Sequence, residues 1–115
     1  MTEADKKLLF DVLIACNEVE AFNAGKSYED YLNDNLLRAG TERKFEIIGE
    51  ALVRLQRLSP NIVARITDSR NIIAFRNRII HGYDTVDDTT IYGILQQHVP
   101  VLRIEVMGLL QESDA

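Results

Sequence analysis

Apolar side chains recur along this chain at three- and four-residue steps, and no window alternates polar and apolar long enough to predict a strand. From Thr2 to Ala24 the stripe is Leu8, Val12, Ala15, Val19 and Phe22, widened by Leu9, Leu13 and Cys16. Thr2 suits an N-cap there and Gly25 a stop. Ser27 with Asp30 opens a short turn of helix carrying Tyr28, Tyr31 and Leu32. A long helix is expected from Asn35 to Leu58 on Leu37, Phe45, Ile48, Leu52 and Leu55, flanked by Ile47 and Ala51 and ended by Ser59-Pro60. After a short segment over 61–66, Asp68 or Ser69 caps a helix bearing Ile72, Ile73, Phe75, Ile79 and Ile80, which Gly82 ends. Asp87 caps the last helix, with the stripe Ile91, Leu95, Val99, Leu102, Val106 and Leu109. Pro100 lies inside that stripe and predicts a kink. The pattern predicts an all-α, up-and-down helical bundle of four main helices plus short extra helices, as a single domain over residues 1–115.

At 115 residues the chain is long enough to bury a core without a metal or a disulfide. Its one cysteine, Cys16, excludes an intramolecular disulfide and a cysteine-based zinc site, and its place in an apolar stripe predicts a core residue. No apolar run approaches the roughly 18 residues of a membrane span, and the start Met-Thr-Glu-Ala-Asp-Lys-Lys has no apolar signal region. The expectation is a cytoplasmic protein with no membrane partner.

The formal net charge of -5 argues against a coat-like nucleic-acid binder. The charge is uneven, however. Residues 38–78 carry nine basic side chains against four acidic ones, a balance of +5, while the rest of the chain carries -10. Eight of the nine are arginines, whose planar fork suits phosphate. The plain alternative is a solvated helical surface with a few Glu–Arg pairs. Glu46 and Glu50, which share a helical face, read as solvent-facing or arginine-paired in that view.

Many chemistries are absent. The six glycines never fall at Rossmann or Walker spacing, and neither His81 nor His98 has a Glu three residues before it, as a di-iron bundle requires. No cofactor and no metal are expected. His98, beside Pro100, reads as structural.

What remains is Phe75-Arg76-Asn77-Arg78-Ile79-Ile80-His81-Gly82-Tyr83-Asp84, polar chemistry where a helix meets a loop. Asn77 and His81, four apart, share a face. Arg76 and His81 are five apart, about 140° round an ideal helix, so they do not converge on one regular helix. Fraying near Gly82, or a second copy of the helix, would bring them together. A histidine there can equally cap the last carbonyls, and Arg78 can contact RNA phosphates or form a surface ion pair. Tyr83 follows a glycine and either exposes its hydroxyl or half-buries it.

The segment Arg76-Asn77-x-x-x-His81-x-Tyr83 resembles the R-x4-H-x-Y motif of the HepT-like branch of the HEPN ribonuclease superfamily. The likeness extends over residues 5–112. It includes Glu42-Arg43, Ile47-Ile48-Gly49-Glu50-Ala51, Ser59-Pro60 and a final helix with an internal proline. It implies a metal-independent endoribonuclease toxin acting as a homodimer, with Arg and His of both copies facing one cleft. It also implies an antitoxin of the MNT nucleotidyltransferase type that silences the nuclease by adenylylating the motif tyrosine. Carried over, Arg76 and His81 are catalytic, Asn77 supporting, Arg78 a candidate RNA contact, Tyr83 the modified residue, and the substrate RNA, with tRNA and mRNA as candidate classes.

Residue chemistry agrees with those roles. Histidine, with an unperturbed pKa near 6.5, can exchange protons with the 2′-hydroxyl or the leaving oxygen at neutral pH. Arginine stays charged and stabilises a phosphorane. Two other readings stand beside this one. One is a non-catalytic helical partner or substrate-binding subunit of a nucleotidyltransferase; the other is a phosphate- or nucleotide-binding bundle.

Overall fold

A computed structural model describes residues 1–82 and 86–114, and Tyr83, assigned above as the modified residue, lies outside them. Among the described residues all regular structure is helical: α1 (Glu3–Asn23), α2 (Tyr28–Leu32), α3 (Asn35–Leu58), α4 (Pro60–Val63), α5 (Ser69–His81), α6 (Asp88–Gln97) and α7 (Val99–Asp114). The all-α expectation holds. None of these helices is long and apolar enough to cross a membrane.

Side-chain caps explain several starts. Thr2 Oγ1 accepts from the Asp5 amide at 3.1 Å while Asp5 Oδ2 accepts from the Thr2 amide at 2.9 Å, a reciprocal box repeated by Ser27 and Asp30 at α2. Asp34 and Asp87 cap α3 and α6 by one-way bonds, their carboxylates accepting from the amides of Leu37 and Thr90. Gly25, at φ 74°, takes the left-handed turn that follows α1, where a side chain is disfavoured.

The long helices α1 and α3 pack on each other, with α7 against α1 and α5 against α3. Most apolar positions expected inside are buried, including the whole stripe Ile91, Leu95, Val99, Leu102, Val106 and Leu109, while Leu13, Ile47, Ile72 and Ile73 are partly buried. Cys16 is fully buried, and burial pushes its thiol pKa up to about 12, so it stays protonated core. Tyr31 is buried and Tyr28 half-buried, their rings packed on Tyr92 of α6. The segment before α5 is tied to α7: Thr67 donates its hydroxyl to Glu105 at 2.8 Å, and Arg65 pairs with Glu112.

Four details differ from the sequence pattern. Phe22, near the end of α1, is exposed, lying against Gly40 and beneath the Lys44 ammonium. Ile80 is also exposed. Asp68 occupies the N-cap position of α5 but at φ 61°, from which its side chain makes no capping bond; its Oδ2 instead lies 3.1 Å from His98 Nδ1. The last helix is broken rather than kinked. The His98 amide closes α6 on Ile94, and Pro100 falls in the first turn of α7, where no amide hydrogen is needed.

Candidate active site

The close crossing of α3 and α5 is set by Gly49. A Cβ at this position would lie 2.2 Å from Cβ and 2.5 Å from Cγ of Arg76, so only glycine lets the two backbones approach this far. One residue on, Glu50 reaches the same side chain. Its Oε2 accepts from Arg76 Nη2, and its Oε1 lies 3.3 Å from Arg54 Nε. Arg76 Nη1 donates to Asn77 Oδ1 at 2.9 Å, while Arg76 Nε is buried with no acceptor among the described residues. The Arg76 side chain is only 20 % exposed against 44 % for Glu50. Beneath it, Phe75 meets Phe45 edge-on, with ring centroids 6.1 Å apart.

One and a half turns later the setting changes. His81 is the last residue of α5 and is exposed, and no side chain among the described residues hydrogen-bonds its ring. The helix stays regular to this point, with the Gly82 amide bonded to the Arg78 carbonyl at 2.8 Å. Fraying therefore does not bring His81 round to Arg76. Asn77 serves Arg76 directly rather than His81, although its place on the His81 face stands. Arg78 stacks over Phe75 at 5.8 Å, and its charge helps hold the Asp87 carboxyl below the usual carboxylate range, behind the larger effect of the Thr90 bonds.

Beside the crossing, a groove of about 320 Å³ runs over α3, lined by Asp11, Arg43, Glu46, Ile47, Glu50, Arg54 and Ile80 among others. Its arginines are not bare. Arg43 pairs with Glu46 and Arg54 with Glu50, the second of the two states, solvent-facing or arginine-paired, expected for these glutamates. Among the described residues, at least six of the nine basic residues of the 38–78 segment have a carboxylate partner, so the plain surface-pair reading describes much of that charge.

His98, read from the sequence as structural, lies with Nδ1 3.1 Å from Asp68 Oδ2. The two rim a separate apolar cleft of about 90 Å³ between α3, α5, α6 and α7, floored by Phe45, Ile48 and Phe75. No group of three or more His, Cys, Asp or Glu side chains able to hold a metal occurs among the described residues. Sequence reasoning did not single out Gly49 and Glu50 as site residues. The available signal was their position next to each other on the arginine-rich helix.

Comparison with known proteins assigns this architecture. The model of the ribonuclease HepT-like family matches residues 12–109. A candidate RNase of Methanocaldococcus jannaschii is 29 % identical over 105 residues, covering 88 % of this chain and 92 % of its own. The probable ribonuclease HepT of Thermococcus cleftensis is 29 % identical over 107 residues, covering 90 % and 93 %. A candidate RNase of Caldanaerobacter subterraneus subsp. tengcongensis is 30 % identical over 89 residues, covering 77 % and 79 %. No solved structure matches the chain significantly. With an all-α bundle, the Arg-Asn pair locked at a helix crossing and the histidine at the helix end, the chain belongs to the HepT-like ribonucleases.

Proposed function

We propose that this protein is a metal-independent endoribonuclease toxin of a toxin–antitoxin pair, acting in the cytoplasm as a homodimer on RNA. The observation that carries this reading is the split between Arg76 and His81: one helix offers a held, charged guanidinium and an open imidazole that do not meet within one protomer. A second copy across a cleft supplies the missing half of each pair. Exposed Ile80 beside His81, and exposed Phe10 and Ile14 on α1, supply apolar surface for such a contact.

In this reading His81 exchanges the proton of the 2′-hydroxyl as it attacks the phosphorus, or delivers one to the leaving 5′-oxygen. Arg76 balances the charge of the phosphorane, and Asn77 supports Arg76. Arg78 is a candidate RNA contact. Tyr83, two residues beyond His81, is the residue that a cognate MNT nucleotidyltransferase would adenylylate. The added anionic phosphodiester would block the cleft and neutralise its cations.

The test is cleavage of defined RNA pools by purified, unmodified protein with EDTA present. Wild type is expected to cut, and His81→Ala to lose at least ~10²-fold in rate. Undiminished cleavage by His81→Ala overturns the catalytic assignment. Pools left intact by wild type across a pH series favour the non-catalytic partner of a nucleotidyltransferase instead. Intact-mass spectrometry after co-expression with the nucleotidyltransferase tests the modification, with an unchanged mass and persistent toxicity counting against it.

A further inference from the structure

We propose that Glu50 is a positioning residue for the ribonuclease reaction, fixing the Arg76 guanidinium in the place where it meets a phosphate; this rests on the reading of Arg76 given above. Four constraints converge on that side chain. Gly49 pins its root, since no lateral space remains between the backbone of α3 and Arg76 Cβ. Its Nε is sealed inside. Asn77 holds Nη1, and Glu50 holds Nη2. Each terminal nitrogen carries two N–H groups and, among the described residues, has one of these acceptors, so a second N–H on each can meet an oxyanion.

Of these constraints only Glu50 carries charge. A guanidinium four-fifths covered is costly without a counter-ion, and Arg54 sits on the same carboxylate. With Glu50 neutral, desolvation and the repulsion of Arg54 both drive Arg76 outward, and the phosphate clamp loses its place. The trio of Arg54, Glu50 and Arg76 keeps a net charge of +1, so the carboxylate orients the arginine without cancelling the attraction for RNA. The cost of misplacement falls on the reacting geometry. For a group displaced by about 1 Å it reaches ~10²-fold.

Steady-state cleavage of a defined RNA oligonucleotide tests this. The comparison uses wild type, Glu50→Gln, Glu50→Asp, Arg76→Lys, the double variant Glu50→Gln/Arg76→Lys, and Arg76→Ala. Glu50→Gln keeps the side-chain shape, and thermal melting is expected to stay near wild type. Its kcat should fall by ~10²-fold while KM moves far less, with Glu50→Asp recovering part of the loss. A role exerted through Arg76 also predicts that Glu50→Gln lowers the rate of Arg76→Lys by less than about twofold. A Glu50→Gln rate equal to or above wild type, with Arg76→Ala inactive, overturns the role of Glu50 alone. So do fully multiplicative losses in the double variant. Wild-type cleavage by Arg76→Ala overturns the ribonuclease role of Arg76 and this proposal together.

Discussion

Arg76 and His81 stand five residues apart on α5 and live in opposite surroundings. Arg76 is rooted on Gly49, gripped by Glu50 and Asn77, and mostly covered. His81 ends the helix, exposed. The contrast follows from the geometry of one helix crossing another. Close to the crossing point, α3 supplies partners for what α5 presents; at the helix end Ile80 still borders the α3 groove, but His81 is exposed. A charge that must not move belongs at the crossing, because held dipoles and ions cost no reorganisation during reaction. In the proposed mechanism His81 gains and loses protons, which needs the access to substrate that an exposed helix end gives.

The sharpest way to break that contrast is to remove each end in turn. Arg76→Ala and His81→Ala are both expected to lower RNA cleavage by at least ~10²-fold. Their stabilities should then diverge. Arg76→Ala takes one of two arginine partners from Glu50 and removes the side chain beyond Cβ from the crossing, costing about 1–2 kcal/mol, within the common range for single substitutions. His81→Ala touches an exposed ring and should stay within about 0.5 kcal/mol of wild type. Urea denaturation of the two variants measures the difference. Equal losses of stability would show that the two ends are not held differently.

Gly49→Ala attacks the crossing without altering any charge. The new methyl would overlap Arg76 Cβ and Cγ, atoms at the root of the side chain that cannot swing away, so α5 itself must shift. Overpacking of this kind costs about 1–3 kcal/mol. RNA cleavage should fall with stability, whereas Gly93→Ala and Gly108→Ala, helix-interior sites where a methyl meets nothing within 4 Å, should leave cleavage unchanged and raise stability by about 0.5–1 kcal/mol. Wild-type melting and cleavage by Gly49→Ala would sink the account of the crossing.

How much of this was legible beforehand depends on the range of the interaction. Helix positions and buried stripes are local, set by capping boxes such as Thr2 with Asp5 and by apolar spacing, so they could be read directly from the chain. The break at His98 was half-legible: Pro100 marks it, but the position depends on where α6 can close its last amide, on Ile94. The two histidines could be weighed only by context, and the pairing of His98 with Asp68 needs residues 30 positions apart. Glu50 lies 26 positions from Arg76, and the motif contains only the arginine. A glycine inside a helix suggests close approach without naming what approaches. Only the fold shows that Arg76 is what Gly49 accommodates.

The smallest effect extends the comparison to carboxylates of α3. Glu42, Glu46 and Glu50 follow at four-residue steps, but Glu50 sits between two arginines whereas Glu42 faces Asp88 as well as Glu46. Partial burial, then Asp88 and Glu46, raises the Glu42 pKa above its ordinary 4.5, with Arg38 opposing. A carboxyl raised in the fold favours the folded state most when protonated. Its contribution is therefore fully present below about pH 4.5 and is lost as pH rises through the raised value. Glu42→Gln, which cannot ionise, should be more stable than wild type at pH 7 and no different below pH 4.5. Solvent screens much of the interaction, so the gain should stay within about 0.5 kcal/mol. Paired urea denaturation at pH 7 and pH 4 measures it. A stabilisation of the same size at both values would mean that removing the charge is not its cause, and that the crowding of acids around Glu42 carries no energetic weight.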